Sequence, residues 1–193
     1  VDLSIAHFPR ALPGVELLDF YEEEMQLVMP RSLWMDVVTR SPKDAEERIA
    51  RGDLTPLEHC PFVLGHASDI DGHIGEQLFR RAGFRPIVKA RSDNMQTLLA
   101  LTRLGVGASL EVRQFMHEML SDEQMRSLKV LPLGPEARYA ISIGVARQRY
   151  RWSAVDMFIE VARAQMAANS AVDASGETCG NANADMDADM NNG

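Results

Sequence analysis

Apolar positions along the chain change their period repeatedly, and each change marks an element. Leu3 and Ile5 alternate with Asp2 and Ser4 beside Val1, the period-two pattern of a strand that ends at Pro9. "VELLDFYEEEMQLVMP" is a longer extended run ending at Pro30. "KDAEERIARG" places Ala45 and Ile49 at helical spacing and closes on Gly52, which predicts a short charged helix.

Strand and helix then alternate. "PFVLG" reads as a short buried strand, and "HIGEQLFRRAG" as a helix with Ile74, Leu78 and Ala82 on one face and Gly83 as its stop. "PIVKAR" is the next strand. "SDNMQTLLALTRLGVGAS" follows as a helix with Met95, Leu98, Leu99 and Thr102 on its apolar face, leading into the strand "VGASLEV". "RQFMHEML" is predicted helical, "LKVLPL" and "YAISIGVAR" are strands, and a last helix starting at Ser153 should bury Val155, Phe158, Ile159, Ala162 and Met166. Units of this length in alternation predict an α/β protein with a parallel or mixed sheet and helices on both faces.

Gly105 and Gly107 invite comparison with a dinucleotide fingerprint. In such a loop the glycines stand between a strand and a helix start, so that backbone N–H groups meet the pyrophosphate. Here they follow the helix and precede the strand. Gly105 is therefore expected to end the helix in the left-handed region, and Gly107 to permit close backbone approach. At the helix's other end, Ser92, Asp93 and Asn94 offer capping oxygens ahead of N–H groups that carry partial positive charge. Plain capping and acceptance of an anion are both open on this pattern.

"HASDIDGH" collects His66, Asp69, Asp71 and His73, residue types that bind zinc and related ions. Their spacing fits neither a helical zinc motif nor a calcium loop, and a polar loop in which Asp71-Gly72 turns into the next helix is the preferred reading; no metal or cofactor is expected. Cys60 stands beside a buried strand and reads as a structural thiol rather than a nucleophile. There is no Gly-x-Ser-x-Gly elbow, and Glu22 to Glu24 lie in an extended run solvated on one face, so an enzyme is not expected. "RQRYRW", residues 147 to 152, mixes Arg with aromatics as single-strand binders do, but a strand-to-helix connection is preferred.

Charge and composition refine this outline. The formal charge is −8, yet from Asn169 onward there are five acidic residues and no Lys or Arg, leaving −3 on residues 1 to 168 (20 basic, 23 acidic). The segment 169–193, rich in small and acidic residues, is expected to be a disordered acidic tail. With 46% apolar residues over 193 positions, the chain can build a full core. It offers no run long enough to span a membrane, and two cysteines suit a reducing cytoplasm.

Taken in order, "VDLSIAHFP", "LLDFYEEEMQLVMPR", "PFVLGHASDIDGHIGEQLFRRAGFRPIVKARSDNMQTLLALTRLGVGASLEVRQF" and "LKVLPLGPEARYAISIGVARQRYRWSAVDMFIEVAR" resemble the effector-binding domain of LysR-type transcriptional regulators. The most specific features are a helix ending in "AGF-P", a capped helix closing on "LxxxGxGxS", and the final strand followed by "S-AVDMF". "SLWMDVVTRSPKDAEERIARGD" is longer than the usual connection at that point, and the acidic tail is an addition.

The resemblance implies a two-lobed fold like type 2 periplasmic binding proteins, with a small-molecule effector between hinged lobes. Lobe one would comprise 1–22 and 134–168, and lobe two 23–133, with crossings near Phe20 to Glu24 and Leu133 to Ala137. Effector-binding positions would be His7, Phe8, Gly65, His66, Ser68, Ser92, Asp93, Asn94, Ala108, Ser109 and Leu110. A carboxylate is the implied effector class, favoured by helix N-termini. The chain opens directly in a strand, without an initiator Met, and is expected to be a fragment lacking the winged helix-turn-helix and the first part of lobe one. DNA contact would then reside only in the missing region, and the complete protein would be a cytoplasmic homo-oligomer without membrane contact. The alternative is a solute-binding protein of a transporter, which shares the architecture.

Overall fold

The computed structural model describes residues 3–8, 10–147 and 152–175, with side chains to residue 167. The expected start of the first strand at Val1, most of "RQRYRW" and residues 176–193, with Cys179, lie outside the described residues. The chain divides into two compact units. The smaller takes in residues up to Ala6, Arg10–Tyr21 and the chain from Ser142 onward; the larger comprises His7–Pro9 and Glu22–Ile141.

In the smaller unit, β1 (Leu3–Ala6) runs antiparallel to the second half of β7 (Arg138–Ala146), with Ile5 opposite Ile143. The last helix, α7 (Ser153–Ser175), packs Ile159 and Val155 on Ile143 and Val145, together with Leu3, Leu18 and Phe20. The Arg163 guanidinium donates to the Asp19 carbonyl at 3.0 Å. Phe158, expected in the core, is 46% exposed, and Met157 and Val161 are exposed beside it. The apolar stripe is thus wider than this small core, and part of it faces outward. α7 also continues to Ser175, into the segment read as tail.

The larger unit holds the main core. β2 (Val15–Pro30) is one unbroken strand over the expected extended run, and its second half pairs antiparallel with both β5 (Ser109–Val112) and β6 (Leu128–Pro132). Met25, Leu27 and Met29 enter one hydrophobic cluster and Val28 another, because successive side chains of a strand point to opposite faces. On one side lie α1 (Arg31–Val37) and α2 (Pro42–Ile49), which bury Trp34, Ala45 and Ile49. Lys129 holds them to β6, pairing with Glu46 at 2.6 Å and lying 5.4 Å from the Trp34 ring centre. On the other side, Leu99 of α4 (Met95–Arg103) packs with Met116 of α5 (Arg113–Met119) and Leu128, next to α6 (Asp122–Ser127).

β3 (Pro61–Leu64) and β4 (Ile87–Arg91) pair in parallel, connected through α3 (Ile70–Ala82). Ala108 extends this ladder: its N–H donates to Pro61 O and its carbonyl accepts from Val63 N, both at 2.8 Å. That contact explains the glycine pair. Gly105 ends the α4 turn at φ +81°, and a Cβ on Gly107 would stand 2.8 Å from Pro61 O and 2.9 Å from Phe62 C. The unit thus holds antiparallel pairing around β2 and a separate parallel pair, β3 with β4, linked through the Phe62–Ala108 bridge.

Two expectations need correction. Arg31–Val37 is a helix rather than part of a long connection, since Trp34 and Val38 one turn apart are both buried. α3 begins at Ile70, so Asp71 and Gly72 belong to its first turn instead of a turn preceding it. The chain passes from one unit to the other at Tyr21/Glu22 and again at Ile141/Ser142 inside β7, and Leu133 and Ala137 are fully buried in the core of the larger unit.

Candidate functional site

Parallel strands bring their carboxyl ends to one edge, and in open α/β sheets ligands gather there. In the larger unit the ends of β3 and β4 are tied directly. Ser92 N donates to Leu64 O at 3.2 Å, and the Arg91 guanidinium donates to Gly65 O at 2.6 Å. The His66 ring nitrogen Nε2 faces Asp93 Oδ1 at 3.5 Å.

α3 starts against this edge. Asp69 is its N-cap residue, its carboxylate accepting from the Ser68 hydroxyl at 3.3 Å. Gly72 sits so close to the preceding loop that a Cβ there would fall 2.0 Å from His66 O, so the helix entry tolerates no side chain. One turn on, Gly75 leaves room for Leu110, whose Cδ1 would lie 2.9 Å from a Cβ at that position.

Between α3, β4, the start of α4 and β5 lies a cavity of about 570 Å³, of a size suited to a small organic ligand. Phe79, Phe84, Val88, Met95, Leu98 and Leu110 supply its apolar wall. Phe62, Phe79 and Phe84 meet edge to face at centroid distances of 4.9 and 5.6 Å, which fixes the ring orientations. Arg80, Arg85 and Arg91, all exposed, also line it, as do Asp69, Asp71, Glu76, Asp93 and Glu111.

Glu111 differs from the other charged groups. It is 1% exposed, and its Oε1 makes no hydrogen bond. Burial pushes its carboxyl up to about 8; the neighbouring Ser109 hydroxyl works against this, and the Asp71 charge adds to it. Ser109 Oγ is itself buried without hydrogen-bond geometry to a partner. Asp71 is raised as well, chiefly by burial, with the Tyr139 hydroxyl at 3.1 Å opposing the shift and the Asp69 charge reinforcing it. Two carboxyl groups therefore line the cavity, Glu111 fully buried and Asp71 half-buried, where a charge is costly unless paired.

Of the sequence-predicted positions, Gly65, Ser92, Asp93 and Leu110 line the cavity together. Asn94 stands behind it as the N-cap of α4, its Oδ1 accepting from Thr97 N at 2.9 Å, while Ser92 Oγ accepts from Asn94 N at 3.1 Å. Ala108 and Ser109 are buried within the sheet. His66 reaches the rim through Asp93, and Ser68 through Asp69. His7 is elsewhere on the unit: its Nδ1 bonds to Ala140 O at 3.0 Å, and its ring meets Tyr139 edge on at 5.6 Å. Phe8, half-buried beside it, is not among the cavity-lining residues.

The sequence reading missed Glu111, Phe79, Phe84, Arg80 and Arg85. Glu111 had a legible signal, since it is the one ionisable residue in "ASLEV", a strand buried at every position. The members of "HASDIDGH" disperse: His73 Nε2 is 2.7 Å from Gln77 Nε2, Asp71 is held by Tyr139, and His66 faces Asp93. Among the described residues no group of three His, Cys, Asp or Glu side chains could hold a metal ion. Cys60 is fully buried, donates to Pro61 O at 3.3 Å, and has its thiol pushed up to about 12 by burial, which suits a structural role. No helix among the described residues is long and apolar enough to cross a membrane.

Comparison with known proteins places this arrangement. The LysR substrate binding domain family matches residues 1–167. Among solved structures, the chain is similar to the effector binding domain of QuiR in complex with shikimate, at 16% identity and TM-score 0.61 over 85% of this chain and 71% of that one. It is also similar to the regulatory domain of Synechocystis CcmR in complex with 2-PG, at 13% identity and TM-score 0.64 over 84% and 72%. A third likeness is to the C-terminal domain of a probable LysR family regulator from a Rhodococcus species, at 18% identity and TM-score 0.59 over 84% and 74%. These likenesses establish the fold of LysR effector-binding domains, which is periplasmic-binding-protein-like. With the family matched over most of its length, the chain belongs to the LysR substrate-binding domain family and is an effector-sensing domain of a LysR-type transcriptional regulator.

Proposed function

We propose that the effector is a small organic molecule held in the larger unit at the carboxyl ends of β3 and β4, with its body in the cavity beneath α3. The observation that carries this is the cavity itself: about 570 Å³, bounded by a rigid aromatic wall, and opening on Gly65, Ser92 and Asp93. Shikimate and 2-PG in the related domains are ligands of this general size. A carboxylate on the effector would meet Arg80 and Arg85 at the exposed side of the cavity and the first-turn N–H groups of α4. His66, Ser68, Asn94, Ala108 and Ser109 then support the lining residues, and His7 and Phe8 act from outside the cavity.

A compound that raises the melting temperature of the chain should shift the backbone amide resonances of Gly65, Ser92 and Leu110 on titration. Shifts confined to other regions would refute this placement.

The exposed apolar stripe of α7, with Met157 64%, Val161 63% and nearby Trp152 67% exposed, supports self-association of the intact regulator through the smaller unit. We further assign the chain a non-enzymatic role in the cytoplasm, with DNA contact made by a region outside it. Membership of the LysR substrate-binding domain family supports this reading.

A further inference from the structure

We propose that the effector taken by this cavity carries a protonated amine, seated on the buried carboxyl of Glu111, with its opposite end directed to the exposed arginines. The inference rests on the placement of the effector proposed above and names its chemical class. Its first support is the charge found at depth in the cavity. Arg80, Arg85 and Arg91 are exposed, and Asp69, Glu76 and Asp93 stand exposed beside them, so the rim carries both signs; Arg91 already donates to Gly65 O. Glu111, at 1% exposed, is acidic and lies beneath that balanced rim.

The second support is the unmet hydrogen bonding of Glu111. Glu111 lines the cavity, and its Oε1 makes no hydrogen bond of good geometry, with the Ser109 hydroxyl near it, in a protein where buried polar atoms are nearly always satisfied. Asp71 lies close enough for its charge to act on Glu111, and its Oδ1 accepts from the Tyr139 hydroxyl. An ammonium group brings three donors and one positive charge, which is what the buried Glu111 carboxyl beside the half-buried Asp71 lacks. An effector carboxylate at the same depth would face both acids and gain no cation. The raised affinity of Glu111 for its proton agrees with an absent counter-ion: an arriving ammonium would take the proton's place, and one proton would leave to solvent.

The experiment uses the whole chain and three probes matched to the aromatic wall: phenethylamine, L-phenylalanine and 3-phenylpropanoate. Calorimetry at neutral pH, in two buffers of different ionisation heat, reads affinity and proton release together. Phenethylamine or L-phenylalanine should bind at least about tenfold more tightly than 3-phenylpropanoate and release protons. E111Q, checked for folding by its melting curve, should weaken the amine probes about tenfold or more and leave 3-phenylpropanoate within about twofold. If 3-phenylpropanoate binds as well as the amines, or if E111Q leaves amine binding unchanged, the amine assignment is overturned while the placement of the effector stands. If none of the three binds, both are overturned.

Discussion

The Tyr139 hydroxyl donates to Asp71 Oδ1 at 3.1 Å and so joins β7 to the first turn of α3 across 68 residues of sequence. The bond favours the charged form of a carboxyl whose hold on its proton is raised chiefly by burial and further by the Asp69 charge. Y139F removes the donor and leaves that carboxyl short of a partner. The variant should lose about 1 to 3 kcal/mol at neutral pH, read from urea unfolding. A loss below about 0.5 kcal/mol would show that solvent replaces the hydroxyl.

Glu111 makes stability depend on pH in an unusual direction for a carboxylate. The folded state holds its proton up to about pH 8, against an ordinary value of 4.5. Between those values the folded chain binds more protons than the unfolded one, so stability is complete below the lower value and is lost as pH rises through the upper. The slope should reach roughly 1.4 kcal/mol per pH unit within that window. Asp71 acts in the same sense, so E111Q should flatten the profile without abolishing its slope. Parallel profiles for the two proteins would show Glu111 ionised as freely folded as unfolded.

The two glycines after α4 should respond differently to alanine. G105A places a Cβ in open space at φ +81° and should cost about 1 to 2 kcal/mol through backbone strain alone. G107A drives a Cβ into the Pro61–Phe62 peptide and must displace β3 from Ala108, a loss of about 3 kcal/mol or more. Equal losses in thermal unfolding would contradict the close approach.

N94A should destabilise the unliganded chain by about 1 kcal/mol, since Asn94 Oδ1 caps α4 through Thr97 N. S92A should cost less, because Ser92 Oγ makes a local bond to Asn94 N ahead of the helix. In the presence of a bound effector the order should reverse, as Ser92 lines the cavity and Asn94 does not. Melting curves of the two variants with and without ligand separate capping from binding.

Much of the fold could be read from local signals because those signals are themselves local. The extended run closed by Pro30 marked β2 over its full length from Val15, and Gly83 and Gly105 ended their helices where a positive φ is needed. α1 escaped notice since it has no acidic first turn and no side-chain cap, and it begins directly after Pro30. α6 was missed despite a full capping box between Ser121 and Gln124, for it buries no residue and shows no apolar period. The cavity was less legible still. Ser92 and Asp93 could be found from their cap pattern, but the burial of Glu111 depends on β2 covering one side of β5, a pairing between residues distant in sequence. Phe79 and Phe84 read as ordinary core, which they also are.

Where α3 enters the cavity, its wall consists of main chain: Gly65, Gly72 and Gly75 face the space, and the Gly72 position admits no side chain against His66. At Gly72 substitution cannot resculpt that side, because the obstacle is a peptide, which has no alternative shape to offer. A change of taste in this domain is therefore open chiefly to the opposite bank, at Phe79, Phe84, Met95 and Leu98, where side chains and not main chain set the outline.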